Sequence, residues 1–430
     1  MEQKPEQQCR GASDSKMTGS TDADSGADSA LLPNGLNATV KFALRNLLGM
    51  VSALVLCFQS AGGSELPIEP DVMMLKRSVI SNYAAIASAV YRDSLATIKD
   101  LKRAVDTFLD NPSTASLDAA RAAWRVARVP YCQSEVYRFY DGPIDQVEGM
   151  INAWPIDENY IDYVAEDANA GIINAVSSYP VLTPELISTL NEKEGKKNIS
   201  TGFHAIEFLL WGQDRNPNGP GNRSWQDYAT GGAKNFERRR QYLRIATDLL
   251  VEQLETVASA WAEGSSTNYR SQFQSMDPDV ALANILKGLG ALSGPELAGE
   301  RMTVPYETKE QEDEHSCFSD NTRDDLVYDA VGIQNVYLGR YVDLIGRKVE
   351  GRGVHDLLTR LEPKPATKLA EQIETTVKSI RAIPQPFDQA ILGPNTAPGR
   401  IAIKKGTTSA QAQSDLIAKA AKALSIKLNI

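Results

Sequence analysis

Two side chains that can bind a metal or move a proton stand three residues apart in an otherwise apolar stretch. His204 and Glu207 lie in GFHAIEFLLWGQD, residues 202–214, of a chain with only three histidines. On a helix, residues three apart share one face. An imidazole nitrogen beside a carboxylate is a donor set that suits iron or zinc. The same spacing also fits a buried histidine that is hydrogen-bonded to a neighbouring acid, so both interpretations stay open.

A second polar segment, QEDEHSCFSDN at residues 311–321, repeats the three-residue spacing in the opposite order. Here Glu312 precedes His315, and both are candidate metal ligands. A solvated acidic helix end would account for the acids, but not for the Ser, Cys and Phe that follow them directly. Three further side chains of the segment are candidates for a shared site: Asp313, Ser316 and Ser319.

A third segment, WRVARVPYCQSEVYRFYDGPID at residues 124–145, mixes aromatic and charged residues. Arginine can clamp an anion or orient a carboxylate through two parallel hydrogen bonds. The alternative is a set of surface ion pairs, which stabilise a protein little. The candidate site residues of this segment are Arg125, Arg128, Ser134 and Glu135.

Helices are the elements that must position these residues, because apolar side chains recur at helical spacing along most of the chain. No run of alternating apolar and polar residues indicates a sheet. The clearest helical segments are Val72–Asp110, Ile199–Leu210, Phe236–Glu263, Asn321–Val349 and Ser409–Leu428. Each half of the chain offers about four helices, the number of an antiparallel bundle. We therefore predict an all-α fold with one helical domain over residues 64–233 and another over 234–430.

Three glycines in the predicted helix Asn321–Val349 recur at seven-residue spacing. They are Gly332, Gly339 and Gly346. A stripe of glycines on one helix face lets another helix approach closely, and we expect such a contact here.

The N-terminal part of the chain predicts export. Residues 1–39 are rich in Ser, Asp and Gly and are expected to be disordered, or to be an over-extended gene start. Lys41 and Arg45, a short apolar run and a small-residue stretch then give residues 40–63 the order of a signal peptide. The apolar run is too short for a secure membrane span. We expect a periplasmic or cell-envelope protein, with outer-membrane association possible, and no transmembrane span after cleavage.

Composition excludes little else. The formal net charge is −10, and no long Lys/Arg run suggests a nucleic-acid partner. After signal cleavage two cysteines remain, Cys132 and Cys317. In an oxidising compartment they could pair, or they could stay as separate buried thiols.

The three polar segments together resemble the imelysin family. GFHAIE matches the family motif Gly-x-His-x-x-Glu at His204 and Glu207. Residues 300–322, ERMTVPYETKEQEDEHSCFSDNT, and residues 130–145 are similar to its iron-regulated protein A subgroup. The resemblance runs from about residue 70 to about residue 425.

This resemblance implies bacterial cell-envelope proteins with two helical domains, each similar to a four-helix bundle. It places a site in the groove between the domains, around the helix that carries His204 and Glu207. Members of the family are often tied to iron, and the family was first classed as peptidases. We therefore expect an iron-binding or iron-uptake protein, with iron as the metal, zinc as the lesser alternative, and envelope iron-transport components as partners.

Two other functions stay open. A metallopeptidase is one, although neither HExxH nor HxxEH occurs and residue 208 is Phe. A module that holds a non-metal ligand through Arg125 and Arg128 is the other. A ferritin-like di-iron site is set aside, since it needs two Glu-x-x-His motifs facing one bundle core.

Overall fold

The computed structural model describes residues 70–428, which are helical apart from one two-stranded hairpin. The predicted all-α fold is confirmed. The predictions for residues 1–39 and 40–63 lie outside the described residues. The described residues group into one compact unit, and the domain boundary near residue 233 stays a prediction. None of the described helices combines the length and the apolar content that a bilayer crossing requires.

Long helices build most of the molecule. They are α1 (Pro70–Asp110), α2 (Thr114–Ser134), α8 (Phe236–Ala260), α10 (Pro278–Ala291), α12 (Thr322–Leu338), α14 (Pro363–Arg381) and α16 (Pro398–Ala423). A π-helical stretch, Leu292–Thr303, continues α10. Helix α1 packs along α2 and α8, while α14 packs on α16, which also packs on the π-helical stretch. The core runs continuously through all of these contacts.

Short elements connect the long helices. The short helices are α3 (Glu148–Ile151), α4 (Glu158–Ile161), α5 (Gly171–Asn174), α6 (Pro184–Leu190), α7 (Gly202–Trp211), α9 (Tyr269–Ser275), α11 (Val304–Thr308), α13 (Val354–Leu361) and α15 (Phe387–Ile391). Single 3-10 turns occupy Glu135–Tyr137, Trp225–Tyr228 and Gln311–Asp313. The strands are β1 (Arg340–Val342) and β2 (Lys348–Glu350), paired antiparallel.

Local sequence signals explain several helix ends. Ser113 caps α2 in a capping box with Ser116, which satisfies backbone N–H groups that the helix leaves free. Asp277 caps α10 by accepting from two backbone N–H groups, and proline follows in the first turn. Pro130 lies inside α2 without ending it, so the helix extends to Ser134 and carries the third polar segment toward the site.

The predicted helix Asn321–Val349 is wrong over its second half. Helix α12 ends at Leu338 because Gly339 adopts φ +69° and closes it. The chain then forms the hairpin, whose turn uses Gly346 at φ +79°. Of the three glycines, only Gly332 serves a close helix contact. A Cβ there would lie 2.5 Å from the carbonyl oxygen of Gln133, so α12 can lie directly against α2.

The start of α7 depends on a glycine. Gly202 adopts φ +82°, and a Cβ there would lie 2.4 Å from the carbonyl oxygen of Ile151. Gly202→Ala is therefore expected to lower the free energy of unfolding by about 1–3 kcal/mol, because it combines a disfavoured φ with a clash against backbone. Chemical denaturation followed by circular dichroism measures this loss.

Gly264 is the matched control for that substitution. It has a similar φ of +83° but open space around it. Gly264→Ala should therefore lower the free energy of unfolding only by the cost of the left-handed backbone, about 1–2 kcal/mol. If Gly202→Ala were no more destabilising than Gly264→Ala, the packing of α7 against Ile151 would not be as described.

Candidate functional site

Helix α7 carries His204 and Glu207 into the protein interior. All ten of its residues are buried, including these two polar ones. His204 Nδ1 lies 2.9 Å from Glu207 Oε2, and their side chains are 1% and 0% exposed. The family resemblance implies a site in a groove around this helix, whereas the structure buries the whole helix. The pair is therefore a buried polar unit in an apolar helix.

Glu207 is fixed from its other side by Ser319. Its Oε1 accepts hydrogen bonds from the Ser319 backbone N–H at 2.9 Å and from the Ser319 hydroxyl at 2.7 Å. Burial raises the pKa of Glu207 to about 8, although the bonds from Ser319 oppose the rise. Burial, and next the positive charge of Arg128, hold the pKa of His204 well below its usual range. His204 is thus a neutral imidazole, and its Nε2 has no hydrogen-bond partner.

His315 brings a second imidazole to the same place. The ring centroids of His204 and His315 are 4.9 Å apart in an edge-to-face arrangement. The ring of Trp154 also packs against His315, with 5.4 Å between the ring centroids. His315 Nε2 is 3.4 Å from Asn152 Nδ2. Burial and Arg301 hold the pKa of His315 well below its usual range. Two neutral imidazoles and the carboxyl group of Glu207 therefore meet inside the protein.

Asp325 on α12 ties this cluster to α2. Its carboxylate accepts from Arg128 Nε at 3.1 Å and Nη2 at 2.9 Å, and from the hydroxyl of Ser316 at 2.5 Å. His315 Nδ1 lies 3.2 Å from Asp325 Oδ2, but off the line of a hydrogen bond. Burial alone would raise the pKa of Asp325, yet Arg128 outweighs it and holds the pKa well below its usual range. Asp325 is therefore a buried anion that Arg128 stabilises.

A second group of buried ion pairs adjoins the Arg128–Asp325 pair. Glu135 Oε2 accepts from Arg138 and from Arg301, each at 2.6 Å, and Arg301 also donates to Asp329 at 2.7 Å. Despite burial, Arg138 and Arg301 hold the pKa of Glu135 below its usual range. Asn152 lies at the boundary of the two groups of ion pairs, where its side-chain oxygen accepts a hydrogen bond from Arg128 at 2.5 Å. Buried charges of this kind persist only when each has partners.

The structure gathers most, but not all, of the residues singled out from the sequence. Those brought together around α7 are His204, Glu207, His315, Arg128, Glu135, Ser316 and Ser319. Arg125 lies at the rim, where it donates to the Ser319 carbonyl at 2.7 Å and lies over the Trp211 ring. Ser134 is buried but donates to the carbonyl of Tyr131.

Glu312 and Asp313 lie apart from this cluster. Glu312 is exposed and Asp313 half-buried, in a 3-10 turn rather than on a helix, so the spacing to His315 does not give them a shared face. Cys132 and Cys317 are both free thiols and buried.

Sequence analysis missed the residues that hold the cluster, which are Asn152, Asp325, Arg301 and Asp329. One signal was available on α12. Asp325, Asp329 and Gly332 follow each other at spacings of four and three, so they share the helix face that Gly332 presses against α2. Acids on the face of a close helix contact indicate a buried ion pair.

An open cavity of about 360 Å³ lies beside the cluster. Its lining includes Arg125, Ser319 and Asp320. Ser319, which bonds directly to Glu207, therefore lies between this cavity and the cluster. Between residues 70 and 428, no three His, Cys, Asp or Glu side chains converge at metal-binding distances.

Asp320 makes stability at this cavity depend on pH. Burial and the negative charge of Asp214 raise its pKa to about 7. A raised carboxyl pKa adds stability that is complete below about pH 4 and is lost as pH rises through 7. Asp320→Asn is therefore expected to be more stable than the wild type at pH 8, by about 1 kcal/mol after allowing for its partial exposure. At pH 4 the two should be equal.

Urea denaturation at both pH values, in the presence of EDTA, tests this expectation. A constant difference between the two proteins from pH 4 to pH 8 would contradict it.

Known proteins match the chain over most of its length. Residues 87–417 match the Peptidase_M75 family model, described as Imelysin. A protein of Synechococcus elongatus named Iron-regulated protein A is 26% identical over 398 residues, which cover 89% of this chain and 95% of that protein.

Two solved structures share the fold. One, described as an iron-regulated protein A precursor from Parabacteroides distasonis, has a TM-score of 0.61 at 21% identity and covers 83% of this chain and 98% of its own. The other, an imelysin-like protein from Psychrobacter arcticum, has a TM-score of 0.58 at 12% identity. It covers 87% of this chain and 100% of its own. At these identities the likeness concerns the fold. The family match, however, extends over more than half of the chain, and the chain therefore belongs to the imelysin family.

Proposed function

We propose that the chain is an exported cell-envelope protein that binds iron as cargo, with His204, Glu207 and His315 as its donors. The observation that carries the proposal is the buried, unpartnered Nε2 of His204 beside the ring of His315. A buried nitrogen without a partner costs free energy. A bound cation would remove that cost.

The donor set suits iron by type. Two imidazoles and one carboxylate are the ligands of the facial-triad iron sites. Imidazole must be neutral to bind a metal, and both histidines are held neutral by burial. Glu207 would give up its proton to the solvent when the cation arrives, so binding should be weaker at low pH.

The surrounding shell suits a metal site as well. Ser319 donates two hydrogen bonds to Glu207, and outer-shell bonds of this kind orient a ligating carboxylate. The three donors do not converge as they stand. Binding would thus draw His204 and His315 together, and the cavity beside Ser319 is the entry route that we propose.

The family and the N-terminus support the biological setting. A relative that aligns with 89% of this chain is named Iron-regulated protein A. The charge and apolar pattern of residues 40–63 supports export to the periplasm or cell envelope. Envelope iron-transport components would then be the partners that deliver or receive the ion.

The metallopeptidase alternative would use the same three donors with zinc. A peptidase must let a polypeptide reach its metal, and here His204 and Glu207 are almost wholly buried. The Ser319 hydroxyl donates to Glu207 and not to an imidazole, so the cluster is not arranged as a serine–histidine pair either. Iron cargo therefore fits this burial better than peptide hydrolysis does.

Metal analysis of the natively exported protein tests the proposal. We expect stoichiometric iron after purification without chelators, and a lower melting temperature after the iron is removed. Protein that carries no metal and melts at the same temperature with and without chelator would instead support a non-metal ligand. Zinc content together with chelator-sensitive cleavage of an unfolded protein would support the peptidase.

A further inference from the structure

We propose that a small organic anion, one that carries a carboxylate or phosphate group, binds in a cavity between α14 and α16. The cavity has a volume of about 590 Å³, within the range of about 300–1,000 Å³ that is usual for sites of small molecules. No residue of the His204 cluster lines it. The proposal therefore goes beyond iron binding and does not depend on it.

The charges that line this cavity are all positive. Helix α16 turns one face toward it, because Ile401, Lys404 and Thr408 follow each other at spacings of three and four. Lys404 and its neighbour Lys405 are the only charged residues among the described residues of the lining, and no carboxylate belongs to it. An anion that enters the cavity would thus meet attraction without opposing charge.

Both lysines are available to a ligand. Within the described part of the chain, neither Lys404 nor Lys405 forms a hydrogen bond or an ion pair. The acids of the two helices, Glu371, Glu374 and Asp415, are exposed and lie outside the lining. The ammonium nitrogen of Lys404 is 5.8 Å from the centroid of a tyrosine ring that lines the cavity, so this charge is held at the cavity itself.

A buried guanidinium adds a third positive charge. Arg400 is 2% exposed and lies 3.7 Å from the centroid of the Tyr306 ring. Its nitrogens donate to the carbonyl oxygens of Tyr306 and Ile391 and to the side-chain oxygen of Asn395. No carboxylate of residues 70–428 pairs with it, although buried charges are usually paired. Because Tyr306 and Asn395 both line the cavity, an anion there would supply the missing negative charge.

Helix α14 offers an unused hydroxyl on the opposite wall. Ser379 is 3% exposed and lines the cavity. Its hydroxyl makes no hydrogen bond with the described residues. The hydroxyl of Thr375, one turn earlier, instead donates to the carbonyl of Glu371 at 2.7 Å. A ligand oxygen in the cavity can accept from Ser379 in place of water, which would fix the orientation of the ligand.

The remaining lining indicates what kind of anion fits. An ammonium binds phosphate or carboxylate as a point charge, without the paired geometry of a guanidinium. The Tyr306 ring, Ile401 and Ala412 give the cavity apolar surface for the body of a molecule. A single inorganic anion would leave most of the volume empty. The ligand class is therefore an organic molecule with an anionic group and a body of several carbon atoms.

Calorimetric titration of the metal-free exported protein at constant ionic strength tests the proposal. Metal must be absent because citrate would otherwise compete for iron at the His204 site. The probes are citrate for carboxylates and glucose 6-phosphate for phosphate esters. Inorganic phosphate, which lacks the body, and glucose, which lacks the charge, should bind more weakly than the matching probe. Binding of citrate alone would assign a carboxylate, and binding of glucose 6-phosphate alone a phosphate ester.

Variants of the two lysines locate the binding. Lys404→Gln combined with Lys405→Gln should weaken binding of the probe by roughly 10-fold for each lost charge. Lys419→Gln combined with Lys422→Gln is the matched control, since it removes two charges from exposed positions of the same helix outside the cavity. It should bind like the wild type, and so should His204→Ala.

Ser379→Ala separates a ligand contact from a structural role. It should weaken binding of the probe but leave the melting temperature without ligand unchanged, because the hydroxyl has no partner in the folded chain. The proposal is overturned if neither citrate nor glucose 6-phosphate binds more tightly than inorganic phosphate and glucose. It is also overturned if the variant that lacks Lys404 and Lys405 binds the probe like the wild type while remaining folded.

Discussion

Asp325→Asn is expected to lower the free energy of unfolding by about 3–5 kcal/mol, the usual cost of breaking a buried ion pair from one side. Arg128 is 1% exposed and gives two of its nitrogens to Asp325. An asparagine has nearly the same shape but offers a single neutral oxygen. The guanidinium would therefore stay buried without a counter-charge. Urea denaturation at neutral pH measures the loss.

The adjacent residue is a close control for this substitution. Asp324 is 41% exposed in its side chain and pairs with Arg323 at the surface, where ion pairs contribute about 0–1 kcal/mol. Asp324→Asn makes the same chemical change on the same helix turn, so it should be nearly neutral. Equal losses in the two variants would contradict the role of Asp325 as the anion that joins α2 and α12.

His204→Ala is expected to abolish tight iron binding. It removes the nitrogen that has no partner in the folded chain, and with it one of the three proposed donors. The loss should exceed the roughly 10- to 100-fold expected for Ser319→Ala, which removes only an outer-shell hydrogen bond to Glu207. Anaerobic titration with ferrous iron gives both dissociation constants.

The third histidine provides the control for that prediction. His355 is half-buried and packs against Tyr337, in a cavity on another part of the surface. His355→Ala should bind iron like the wild type. If His204→Ala and His355→Ala bind alike, His204 is not a ligand and its contact with Glu207 is a structural hydrogen bond.

The sequence was informative about helices and about residue types. Helix α7 and its two polar residues follow from GFHAIEFLLW, because an imidazole and an acid three apart in an apolar helix need each other when buried. The segment at residues 311–321 was also singled out, and its His315, Ser316 and Ser319 do lie beside His204 and Glu207. Its Ser, Cys and Phe are buried together with His315, whereas Glu312 before them is exposed.

Tertiary contacts set the features that sequence analysis missed. Nothing local in the sequence indicates that Asn152, in a short irregular stretch, reaches Arg128 and the neighbourhood of His315. The hairpin after α12 was missed because Gly339 was interpreted as part of a helical stripe, whereas its positive φ ends the helix. Glu312 was assigned to His315 by spacing, but a 3-10 turn leaves it exposed. Each of these depends on backbone geometry that spacing alone does not determine.

Anomalous diffraction at the iron absorption edge, from crystals of the protein loaded with ferrous iron, tests the central claim most directly. The account predicts an iron peak in contact with His204 Nε2, with Glu207 and His315 around it, and no peak there in crystals of His204→Ala. An iron peak only at another place in the protein, or none in a protein that remains folded, would contradict iron binding at the His204 site.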